Sequence, residues 1–106
     1  MANPSATDWL KTMAQQVRDA SPSQLSATGR SIRESFEKAM QLVEHSRSID
    51  EASDSVDNEW RAFMRALEQS AIAGTGSTPE LKESRKTTLA AIERLSELVP
   101  DPGPLQ

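Results

Sequence analysis

The chain has 106 residues, room for one compact domain, and carries a net charge of −4 from 16 acids and 12 bases. Of its 38 hydrophobic residues 13 are alanine, and two Trp, two Phe and no Tyr make up the aromatics, too few for an all-β sandwich. The 24 large apolar side chains left after Met1 are still too many for full disorder, so the composition reads as helical.

A first helix is expected from about Asp8 to Ala20. Trp9, Leu10, Met13, Val17 and Ala20 share one face, and Thr7 is placed to cap the start. Ser21-Pro22-Ser23-Gln24 ends that helix and opens the next. Ser21 has the chemistry of an N-cap, Pro22 suits a first helical position, and Gln24 stands at capping-box spacing. The second helix carries Leu25, Ile32, Phe36, Ala39 and Val43 at heptad spacing. The third carries Ile49, Val56, Trp60, Phe63 and Leu67 on the same rhythm, with Leu42 and Ile72 lying off the two stripes.

Residues 44–50 admit two readings, because the 44 residues from Arg30 to Ala73 contain neither Gly nor Pro. In the first, His45-Ser46-Arg47 is a tight turn and Ser48-Ile49-Asp50-Glu51 is a capping box. In the second, one helix of about 66 Å runs through at ~1.5 Å per residue, and a dimer must cover its seam. The stripe changes phase after Val43, which favours the turn. Gly74-Thr75-Gly76-Ser77 forms the next loop, and Thr78-Pro79-Glu80 supplies cap, first-position proline and early acid for a fourth helix. Leu81, Thr88, Ile92, Leu95 and Val99 make its inner face. Pro100-Asp101-Pro102-Gly103-Pro104 stops it.

The expected fold is therefore all-α, a small antiparallel bundle of three to four helices with a pair of long central helices. Its alternative is the continuous central helix in a dimer. Residues 1–7 are expected to be a flexible N-terminus, 8–99 the helical domain and 100–106 a flexible tail.

No motif carries catalysis or a cofactor. Without cysteine there is no disulfide or thiolate chemistry. The sole histidine, His45, has Glu44 and Asp50 nearby but no Ser/His/Asp set. It also lacks a following Lys-Gly pair like that of phosphotransfer four-helix domains. Gly74–Thr78 outlines an anion nest, yet it lacks the Gly-Lys-Ser/Thr of a Walker loop and reads as a connector. Metal ligation has no support, since the acids lack the glycine and spacing of an EF-hand.

What remains is surface. Asp50, Glu51, Asp54, Asp57 and Glu59 occupy 48–60 with no basic residue among them, either as a solvated face or as a dock for a basic partner. Lys82, Arg85 and Lys86 form a positive cluster, expected to meet the acidic face of the third helix within or between chains. Trp9 and Trp60 are core pieces by spacing, and Trp9 doubles as an aromatic anchor if the first helix docks loosely.

The acidic balance disfavours nucleic-acid binding, for which Arg30, Arg33 and the cluster are a thin footprint. No secretory leader, ~18-residue apolar span or N-terminal glycine for myristoylation is present. A cytoplasmic location is the expectation, with leaderless export or injection as the other routes. The expected function is a small non-enzymatic protein–protein interaction module, an adaptor, inhibitor or regulatory subunit, with no cofactor. A self-associating structural protein, possible as a homodimer, is the second class.

Overall fold

The structure, a computed structural model, describes residues 5–74 and 78–99, with the side chains of all of these except 25 and 26. Four α-helices make up nearly all of it: α1 (Ala6–Asp19), α2 (Leu25–Leu42), α3 (Arg47–Ala73) and α4 (Pro79–Leu98). A single 3-10 turn, Pro22–Gln24, precedes α2, and no strand occurs among the described residues. The all-α bundle expected from the sequence is what forms. Residues 1–4, 75–77 and 100–106 lie outside the described set, and with them the expected tail and most of the nest-like loop.

Each helix buries its heptad stripe. Leu10, Met13 and Val17 of α1 meet Ile32 and Ala39 of α2, Val56, Phe63 and Leu67 of α3, and Leu81, Ile92 and Leu95 of α4 in one core, each 2 % exposed or less. Burial of this kind, rather than helix propensity, holds helices of such length in water. Trp9, Phe36 and Trp60 pack on the core while half-buried. The off-stripe residues are exposed, Leu42 at 55 % and Ile72 at 73 %.

Three polar side chains enter the core, and each is hydrogen-bonded, as burial demands. Ser35 donates to Gln16 Oε1 at 2.8 Å. Ser70 and Thr78 share a 3.3 Å bond between their hydroxyls. The Thr88 hydroxyl lies 2.7 Å from the Ser84 carbonyl and 3.0 Å from the Glu59 carbonyl and shares its one proton between them, joining α4 to α3.

The helix starts agree with the sequence at one place and differ at three. Thr78 caps α4 by accepting from the Leu81 N–H at 3.1 Å, with Pro79 as the first helical residue. At α1 the cap is Ser5 rather than Thr7, and Asp8 returns the bond to the Ser5 N–H at 2.9 Å, so the helix starts at Ala6. Ser5 and Asp8 form a capping box with Asp in place of Glu. Ser21 and Gln24 do not form a box. The Gln24 N–H instead closes the 3-10 turn on the Ser21 carbonyl at 3.0 Å, and no side chain caps α2.

At the central join the chain breaks, so the unbroken-rod alternative does not occur. The break falls earlier than the expected box: Ser46, not Ser48, is the cap, accepting from the Ile49 N–H at 3.2 Å. Starting at Arg47 brings Ile49, Ala52 and Val56 onto the buried face and puts Asp50 in the first turn, where it complements the helix dipole.

The chain runs up and down, but its tightest pairs are α1 with α2 and α3 with α4, with α1 against α4 between them. The pair expected to be central, α2 and α3, makes the sparsest close approach of the neighbours. They touch at Gly29, where a Cβ would stand 2.7 Å from Met64 Cε. Because that atom is the free end of a flexible side chain, Gly29→Ala is expected to stabilise the bundle by about 0.5–1 kcal/mol, the gain of alanine over glycine inside a helix. A higher urea midpoint with unchanged slope is the readout.

Candidate functional site

The site expected from sequence was an acidic face on α3 matched by a basic cluster on α4. The structure keeps the two apart. Asp50 accepts from His45 Nδ1 at 2.8 Å, Glu51 pairs with Arg47 at 3.5 Å, and Asp57 pairs with Arg61 at 3.1 Å. Three of the segment's five acids are thus paired with neighbours along the chain. No ion pair joins α3 acids to Lys82, Arg85 or Lys86 among the described residues, which corrects the expected match inside the bundle. Asp54 is exposed on the same stretch.

The basic cluster finds its company on α1 instead. Because α1 and α4 lie side by side, Lys11 and Arg18 join Lys82, Arg85 and Lys86 around one groove of about 740 Å³. Five of the chain's 12 basic residues line it, with Glu93 the one acid. Its floor is apolar: Leu10 and Ile92 lie at depth, with Ala14, Leu89 and Ala90 nearer the surface. Lys11, Arg18, Lys82 and Lys86 are exposed and form no ion pair among the described residues. Lys11 and Arg18 were missed as site residues from sequence. They sit seven residues apart on one side of α1, and only packing against α4 makes that spacing meaningful.

Arg85 differs from its neighbours in the cluster. Its guanidinium turns inward, Nη2 donating to the Ala20 carbonyl at 2.9 Å, with the guanidinium carbon 5.8 Å from the centre of the Phe63 ring. It therefore ties α4 to the end of α1 while adding its charge to the groove. Trp9, the expected anchor, is half-buried and covered by Lys38, whose Nζ lies 4.6 Å from the ring centre. Trp60 lines a second cavity, about 310 Å³ between α2 and α3, with Met13, Phe36 and Val56. The ion pairs Arg33–Glu37 and Asp57–Arg61 stand at its edge, so Arg33 is engaged.

His45 bridges the central turn. Nδ1 donates to Asp50 Oδ1 at 2.8 Å and Nε2 to the Met40 carbonyl at 3.2 Å, so the end of α2 is tied to the start of α3. The Asp50 carboxylate beside it, helped by the Met40 carbonyl, raises its pKa above the usual 6.5. Both ring nitrogens donate, which is the bonding of an imidazolium. With the folded pKa above the unfolded one, the folded chain holds the proton longer, and that stability is lost as pH rises through the folded value. Thermal stability is therefore expected to be higher at pH 6 than at pH 8. Asp50→Asn should remove the His45-dependent part of that slope, measured by calorimetry in a buffer of constant ionic strength.

Among the described residues no His/Cys/Asp/Glu grouping suited to a metal occurs, and no helix is long and apolar enough to cross a membrane. Comparison with family models, with known proteins and with solved structures gives no match to this chain.

Proposed function

We propose that the chain is a small non-enzymatic protein-interaction module, of the adaptor, inhibitor or regulatory-subunit kind, that docks an acidic protein on its α1–α4 face. One observation carries the reading. A chain of net charge −4 gathers five cations and one acid around a single apolar-floored groove. Charges segregated in this way steer encounter and set specificity, and an apolar floor adds affinity once contact is made. In the acidic stretch beginning at Asp50, three acids are paired with neighbours of their own, Asp50 with His45, Glu51 with Arg47 and Asp57 with Arg61. The groove's exposed cations form no ion pair among the described residues and have Glu93 as the one acid beside them, which favours the groove as the docking face.

Site-specific photocrosslinking tests this. A crosslinking residue at Ala90 is expected to yield an adduct that disappears with Lys82→Glu and Lys86→Glu together. It should survive Arg65→Glu with Arg94→Glu, the same charge change on exposed residues that do not line the groove. An adduct indifferent to the groove reversal, or an equal yield from a crosslinker at Glu68 on α3, rejects the reading. The self-association alternative is settled by light scattering, which should give a monomer mass at every concentration.

A further inference from the structure

Resting on the docking reading above, we propose that the occupant of the α1–α4 groove is a single amphipathic α-helix from an acidic partner. Its acidic turns lie over Arg18, Lys82 and Lys86, and its apolar turns lie over Ala14, Leu89 and Ala90. The groove is built from two antiparallel ridges. Positions 11, 14 and 18 of α1 face positions 82, 86, 89, 93 and 96 of α4, each ridge stepping by three or four residues. Such ridges receive the side chains of another helix at the same period. From Lys82 to Ser96 the α4 ridge extends about 21 Å at ~1.5 Å per residue, close to four helical turns. Ala14, Ala90 and Ser96 are small, so a third backbone can approach closely.

The charge is polarised along this length. Arg18, Lys82, Arg85 and Lys86 gather where α1 ends and α4 begins, whereas farther along one base, Lys11, and one acid, Glu93, line the groove. A docked helix is thereby given a direction, with acids needed at one end only. An extended segment has no exposed strand edge here to satisfy its backbone, since no strand occurs among the described residues, whereas a helix satisfies its own. A second copy of this chain is a poor occupant. The apolar side of its acidic helix, Ile49, Ala52 and Val56, is already buried.

The experiment uses the full chain and three synthetic peptides of about 18 residues with one composition of Glu, Leu, Ala and Gln. In the first, the glutamates fill the opening two turns and the leucines form one stripe. In the second, both are dispersed around the helix. The third is the first with two central residues changed to proline. The first peptide is expected to gain helicity on binding and to weaken tenfold or more with Lys82→Glu and Lys86→Glu together. A spin label at its glutamate end should broaden the amides of Lys82–Lys86 more strongly than that of Ser96.

Equal binding of the dispersed or proline peptide overturns the proposal, as does stronger broadening at Ser96 than at Lys82–Lys86. So does preferential binding, in parallel titrations, to duplex DNA or to vesicles of anionic phosphatidylglycerol. If no peptide binds while the Ala90 adduct still depends on the groove lysines, the helical occupant is wrong and the docking reading survives. If the adduct also ignores those lysines, both fail.

Discussion

Phe63→Ala is expected to lower stability by about 3–5 kcal/mol, the usual loss when a buried phenylalanine is truncated in a core that relaxes only in part. Phe63 is fully buried on α3 and sits beneath Arg85 of α4. The loss is a large fraction of the ~5–15 kcal/mol that holds a typical domain together. In a chain of this size it corresponds to a fall of roughly 15 °C or more in Tm. Ile72→Ala is the contrasting case. Ile72 is 73 % exposed, and its truncation should stay within about 0.5 kcal/mol. A similar loss from both variants in urea titrations would mean that the core is not centred on Phe63.

The second large effect is expected from Arg85→Met, which keeps a similar stem and removes the guanidinium. It deletes the bond to the Ala20 carbonyl, which lies 65 residues away in sequence. It also removes a cation from the C-terminal end of α1, where helix-end carbonyls favour positive charge. Hydrogen bonds to charged groups contribute about 1.5–3 kcal/mol, and partial exposure reduces that here to roughly 1–2 kcal/mol. Lys82→Met and Lys86→Met, on the same helix but exposed, should each change stability by less than about 0.5 kcal/mol. The three variants separate a fastening cation from two exposed ones. If all three leave the urea midpoint unchanged, Arg85 does not fasten α1 to α4.

The difference between Arg85 and its neighbours was invisible along the chain. Lys82, Arg85 and Lys86 read as one positive cluster because helical spacing places them on one side of α4. The spacing cannot say which of them faces a carbonyl on another helix. The same holds for the acids. Asp50, Asp54 and Asp57 read as one face, yet Asp50 serves a histidine across the turn and Asp57 an arginine one turn onward. Local pairing of this kind is available to many arrangements, so sequence alone left the acidic segment open to a partner.

Helix boundaries show a related division. Thr78-Pro79 is legible in the sequence because cap and proline act within one turn of the chain. Ser46 and Ser48 are chemically equivalent caps. The register that buries Ile49, Ala52 and Val56 together chose between them. Ser5 with Asp8 was legible in principle, since a carboxylate three residues after a serine returns the bond whether it belongs to Asp or to Glu.

A composition rich in alanine and serine and poor in aromatics is sufficient for the fold class. Periodicity was sufficient for the inner faces, Leu81, Thr88, Ile92 and Leu95 among them. Those properties depend on residues three to seven apart, within reach of one helix, so the sequence determined them by itself. Which helices pair, and therefore which charges meet, depends on contacts between residues as distant as Ala20 and Arg85. Only the tertiary structure decided that α1 lies against α4, that Lys11 and Arg18 join the cluster, and that α2 and α3 meet sparsely beside a cavity. The physical reason is that four amphipathic stripes of similar spacing satisfy one another in several arrangements. The bonds and packing that select among them form only when the helices meet.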